Sequence, residues 1–303
     1  MTAIRIIGVP MDLGTMRRGV DMGPFATRYA DLRERLELLG HSVDDAGNVP
    51  VPFREDADLG AQRGARFLGA ITEVCREVAV RTRAALDAGR TPLVLGGDHS
   101  LAAGSIAGAA AHFAAKGERL GLIWIDAHAD VNTPGTSKSG NVHGMPLAHL
   151  LGHGDEQLTT VAGAAPALRP CDVSLVGIRD LDEAERDHIT EWSVQTFTMR
   201  ALDERGVRAV LSDAISTVSR DTTAIWVSVD MDVVDPTSAP GVGTAVPGGM
   251  TFREAHLAME LVADTGRLAG LDVVEVNPVL DVQNRTAELA AQLALSAFGK
   301  RIL

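Results

Sequence analysis

The sequence predicts an α/β fold, a three-layer αβα sandwich around a mostly parallel central sheet. Two observations predict it: short apolar runs recur along the chain and end in polar or glycine-rich residues, and helix-length segments separate successive runs. The runs are continuous and rich in β-branched residues, as strands covered on both faces require, because crossover helices bury a parallel sheet from both sides. At 303 residues with 46% apolar content, one domain spanning residues 1–303 can enclose such a core.

The first strand is the run at residues 4–9. A helix is expected over 23–39, with Pro24 near its start, where a fixed φ suits a first turn. Residues 64–88 set Arg and Glu on an apolar helical repeat, and a strand follows at 92–95. Ser100, a capping-type residue, opens a helix over 100–115. Strands at 120–125, 173–178 and 224–229 come next, then a helix over 251–263, a strand over 271–276 and a last helix over 285–298. Strand and helix alternating in this way imply right-handed crossovers.

The formal net charge of −12 argues against nucleic acid, whose partners carry a basic stripe, and favours a cationic small molecule. No apolar run reaches the roughly 18 residues of a membrane span. The first ten residues do not read as a secretory signal, and Cys75 and Cys171 lie far apart without a CxxC spacing. A cytoplasmic protein with two free thiols is expected.

In an open parallel sheet, ligands bind beyond the carboxyl ends of the strands. Here those ends read GGDHS at 96–100, DAHAD at 126–130, DMD at 230–232 and EVNP at 275–278. Asp126, His128 and Asp130 are spaced by two, so an extended segment would point all three to one face, and Asp230 with Asp232 repeats the spacing. His99, after two glycines, is a natural sixth ligand. Four carboxylates and two imidazoles without sulfur suit Mn²⁺ or another fairly hard divalent ion. One such ion would leave two buried charges uncompensated, whereas two ions cancel all four and can acidify a shared water. Any one of these residues alone reads as a cap or a core histidine; six together do not. Glu275, following an apolar strand, needs a partner, either a substrate guanidinium or an internal arginine.

The three motifs GGDHS, DAHxD and DxDxxDP, the last at 230–236, occur in order at strand ends and resemble the signatures of the ureohydrolase family, the arginase and agmatinase group. The likeness covers nearly the whole chain. It implies that His99 and Asp130, with shared Asp126 and Asp230, hold one manganese, and that His128 and Asp232 with the same shared aspartates hold the other. Val233 stands where arginases often have Gly. The stretch NTPGTSKSGNVHGMP at 132–146 resembles arginases rather than agmatinases, which implies that Asn132, Ser139 and Asn141, helped by Ser137, bind a substrate α-carboxylate.

By the same resemblance Asp182 and Glu185 hold the α-amino group, with Asp180 nearby, and Asp130, His143 and Glu275 are the catalytic residues. Glu275 would orient the guanidinium and His143, in a Gly-Asn-x-His-Gly position, would be general acid and proton shuttle. The reaction implied is hydrolysis of L-arginine to L-ornithine and urea by a homo-oligomer, a trimer or hexamer. The alternative is another guanidine ureohydrolase such as agmatinase or guanidinobutyrase. A two-metal phosphoesterase is disfavoured because Val142 separates Asn141 from His143 and breaks the GNH signature of that class.

Overall fold

Eight strands form one sheet in which every pairing is parallel: β1 (Ala3–Val9), β2 (Ser42–Asn48), β3 (Thr91–Gly96), β4 (Leu120–Ile125), β5 (Val173–Ile178), β6 (Gln195–Thr198), β7 (Ala224–Asp230) and β8 (Leu268–Val274). Their order across the sheet is β2-β1-β3-β8-β7-β4-β5-β6. The protein is seen in a computed structural model that describes residues 1–59 and 64–301. Six of the strands are those the apolar runs predict. The other two, β2 and β6, are the edges, and their sequences SVDDAGN and QTFT carry too few buried positions to read as apolar runs.

Helices flank the sheet: α1 (Gly23–Tyr29), α2 (Leu32–Leu38), α3 (Leu68–Asp87), α4 (Ala102–Ala114), α5 (Pro146–Leu150), α6 (Glu156–Thr159), α7 (Glu183–Trp192), α8 (Met199–Arg205), α9 (Val207–Ser219), α10 (Phe252–Asp264) and α11 (Arg285–Ala297). One core, built with Leu32, Val210, Met259 and Leu293, lies between the sheet and α2, α9, α10 and α11. The other lies beneath α3, α4 and α5 and includes Ile71, Ile106, Leu147, Trp124 and Trp226. The close approach of α4 to α3 requires glycine: a Cβ at Gly104 would come within 2.3 Å of the Cys75 carbonyl oxygen on α3.

Several boundaries differ from expectation for local reasons. The helix expected over 23–39 is two helices, broken at Asp31, whose φ is 56°. Left-handed Gly64 and Phe67 delay α3 to Leu68. Asp98, not Ser100, caps the turn before α4, its side chain accepting from the Ser100 backbone. Strand β8 stops at Val274 because Glu275 takes φ 63°. Among the described residues no helix is long and apolar enough to cross a membrane, and neither Cys75 nor Cys171 is in a disulfide.

Strands β3, β8, β7 and β4 are consecutive neighbours at the middle of the sheet. Their carboxyl ends therefore present His99, Glu275, Asp230 and Asp126 side by side.

Candidate active site

Beyond β3 a short helical turn places His99 in full burial. Its Nδ1 lies 3.1 Å from Asp126 Oδ2, 3.2 Å from Asp130 Oδ2 and 3.3 Å from Asp230 Oδ2. Its Nε2 is 2.9 Å from Ser228 Oγ, which in turn lies 3.4 Å from the buried Asp272 Oδ2. With Nε2–H donating to Ser228 and the serine hydroxyl donating to Asp272, Nδ1 carries a lone pair and has no hydrogen-bond partner. Burial lowers the His99 imidazole, but Asp126, Asp130 and Asp230 together hold it well above its usual range, so the three oxygens demand positive charge at Nδ1, either a proton on it or a cation among them.

The second group is built in the same way. His128 Nδ1 lies 3.0 Å from Asp232 Oδ2 and 3.5 Å from Asp126 Oδ1. Two sets of ligand atoms, His99 with Asp126 and Asp230, and Asp126 with His128 and Asp232, are each close enough to hold one ion. Asp126 belongs to both, and Asp130 stands beside the first.

The predicted residues converge, but not along extended strands. Asp126 Oδ1 accepts from the His128 backbone at 2.7 Å and Asp230 Oδ1 from the Asp232 backbone at 2.8 Å. Each aspartate thus folds its own chain into a tight turn that returns the second side chain to the same side. Asp130 completes the geometry in the left-handed region, φ 53°. Burial first, then the charge of neighbouring aspartates, pushes Asp130, Asp230 and Asp232 above the usual carboxylate range. The donor set of oxygens and imidazole nitrogens, and the excess of negative charge, both fit divalent metal.

Glu275 is fully buried. Its Oε1 accepts from the His99 backbone at 2.9 Å and from His143 Nδ1 at 3.0 Å. Its Oε2 has no partner, and among the described residues no arginine pairs with it, so the internal-arginine alternative is set aside. Burial lowers and Glu275 raises the His143 imidazole, with a net rise to about 9.

This arrangement has relatives. Residues 2–299 match the family model described as Arginase family. The arginase of Bacillus caldovelox is 46% identical over 303 residues, covering 100% of both chains, and the arginase of Brevibacillus brevis is 45% identical over 302 residues, covering 98% of each. The chain belongs to the arginase family. The solved Bacillus caldovelox arginase superimposes with a TM-score of 0.96 over 100% of both chains, at 46% identity. A more distant relative in fold, formimidoylglutamase of Bacillus subtilis, reaches a TM-score of 0.79 at 25% identity, covering 98% of this chain and 86% of that one.

Around the arginase-family centre, the remaining predicted residues lie on two adjoining segments. Asn132 Nδ2 donates to Asp182 Oδ2 at 3.0 Å, joining the loop after β4 to the start of α7. There Asp182 and Glu185 cap the helix reciprocally, each side chain accepting from the other's backbone N–H. Glu185 is buried, and burial followed by the charge of Asp130 raises its carboxyl to about 7. Ser137 and Ser139 accept from the Gly140 and Asn141 backbones, shaping the loop, and Asn141 Oδ1 accepts from Arg66 at 3.4 Å.

Sequence reasoning missed supporting residues. Ser228 and Asp272 are polar positions inside apolar strand runs, a legible signal that a buried polar partner exists. Thr244, which donates to Asp232 Oδ2 at 2.9 Å, sits in an irregular loop and gave no such signal.

Proposed function

We propose that this protein hydrolyses L-arginine to L-ornithine and urea with two Mn²⁺ ions. The observation that carries the reading is His99 Nδ1, an unpartnered buried nitrogen facing three aspartate oxygens, with Asp126 contributing its second oxygen toward His128. His99, Asp126, Asp130 and Asp230 would hold one ion, and His128, Asp232 and Asp126, joined by Asp230, the other. When bound, the ions supply an acidified water as nucleophile near neutral pH and positive charge against the charge that develops on the substrate.

Glu275 offers Oε2 to a planar guanidinium, a charge-assisted contact that fixes the carbon to be attacked. His143 has Nδ1 committed to Glu275, which leaves Nε2 to hand a proton to the departing ornithine amine. Asp182 and Glu185 would face the substrate ammonium, and Asn132, Ser137, Ser139 and Asn141 the α-carboxylate. Hydrogen bonding between Asn132 and Asp182 supports one continuous clamp for both ends of an α-amino acid. The reading carries with it a homo-oligomer, a trimer or hexamer, of single domains spanning residues 1–303, and two free thiols favour the cytoplasm.

Urea release from L-arginine and from agmatine, each with added Mn²⁺, tests the reading. Strong preference for arginine is expected. Equal turnover of the two would point to a broader guanidine hydrolase.

A further inference from the structure

We propose that Arg179 is a positioning residue that locks together the turns carrying Asp126, His128 and Asp232, and so sets how tightly that ligand group holds a divalent ion. The inference rests on the metal reading above. Arg179 lies just past the end of β5, next to β4 in the sheet. Its backbone N–H donates to the Ala127 carbonyl at 2.9 Å, midway between Asp126 and His128. Its side chain reaches past β4 to the turn after β7. Nη2 donates to the carbonyls of Asp232 at 2.6 Å and Val246 at 2.7 Å, and Nη1 to that of Val233 at 3.2 Å.

One residue thus braces both halves of a ligand group, from its backbone on one side and its guanidinium on the other. The halves also touch directly, since the Ala127 N–H donates to Asp232 Oδ1 at 3.2 Å. Space is reserved for the guanidinium: a Cβ at Gly249 would lie 2.7 Å from Nη2. Among the described residues Arg179 makes no ion pair with a carboxylate; its two terminal nitrogens serve backbone carbonyls on the chain's path, while Nε is buried without a hydrogen-bond partner. A planar fork can serve three carbonyls at once, whereas a lysine ammonium on a flexible stem cannot.

Charge and grip pull in opposite directions. A fixed cation beside the cluster weakens the binding of a dication, so removing it favours metal electrostatically, while losing the brace disfavours metal by freeing Asp232. Two variants separate these effects: Arg179→Met removes charge and fork together, and Arg179→Lys keeps the charge alone. Residues that orient metal ligands from behind typically change affinity by about 10–100-fold.

The experiment is a calorimetric titration of the metal-free full chain and both variants with Mn²⁺, with circular dichroism as a check on folding. Both variants are expected to bind one ion at least about tenfold more weakly and to lose affinity for the other, which shares Asp126 with the braced group, by a clearly smaller factor. Full affinity in Arg179→Lys, or tighter binding in Arg179→Met, would show that charge and not positioning matters and would overturn the proposal. Equal weakening of both ions would overturn it too, because the effect would then not be local. If the unmutated chain binds no Mn²⁺, it is the metal reading that fails.

Discussion

Asp126 divides its two side-chain oxygens between two imidazoles, Oδ2 standing 3.1 Å from His99 Nδ1 and Oδ1 3.5 Å from His128 Nδ1. Of the two imidazoles, Asp232 stands against His128 alone, at 3.0 Å. Asp126→Ala should therefore abolish binding at both positions, whereas Asp232→Ala should leave about one ion per chain, since the His99 group keeps its atoms. Metal analysis after dialysis against a fixed Mn²⁺ concentration distinguishes the two. Equal metal content in both variants would contradict a shared Asp126.

Glu275→Gln keeps the shape of the side chain and removes its charge. Metal content should be unchanged, because no ligand is altered, while turnover of arginine should fall about 100-fold or more, the usual effect of deleting an electrostatic contact to the reacting group. A variant that turns over arginine at the unmutated rate would remove Glu275 from the mechanism.

The pH profile follows from the pair of His143 and Glu275. The imidazole is raised to about 9, so the proton donor is present below that pH and lost above it. Activity should fall on the alkaline side as His143 deprotonates, and Glu275→Gln should move that limb toward the ordinary imidazole value, about 6.5. The same sign governs stability: the His143 side of the pair contributes fully at about pH 6.5 and is lost as pH rises through about 9, while Glu275, which burial raises but His143 holds below its usual range, loses its share only in acid. Thermal melting of the metal-free chain across this window measures it. Melting temperatures of the unmutated chain and Glu275→Gln that change in parallel with pH would show that the pair contributes nothing.

Asp182→Ala separates substrate grip from chemistry. An ionic hydrogen bond is worth about 1.5–3 kcal/mol, so KM for arginine should rise about 10–100-fold with a smaller change in kcat, and the preference for arginine over agmatine should narrow. Asp182 also caps α7, and its loss should lower stability by about 1 kcal/mol. An unchanged KM beside a lowered melting temperature would leave Asp182 only its capping role.

The six inner strands, and the acids and imidazoles gathered at their ends, were legible because buried strands need continuous apolar runs and because clustered acids repel one another unless a cation lies between them, whereas supporting Ser228, Asp272 and Thr244 were missed. The polar edges β2 and β6 were not legible, since an edge strand needs only one buried face. Period-two spacing pointed to side chains that do converge, but for an incomplete reason: Asp126 and Asp230 curl the chain through their own Oδ1 rather than continuing as strands. Arg179 was invisible as a brace, because nothing in the order of residues shows that its guanidinium reaches the Asp232 carbonyl.

The most direct measurement is urea release from L-arginine followed while the metal-free chain is titrated with Mn²⁺. Two ions bound per chain, with urea release completed only as the second is taken up, is the result expected. Full urea release from a chain holding one ion, or no urea at two, would contradict the paired centre built on Asp126.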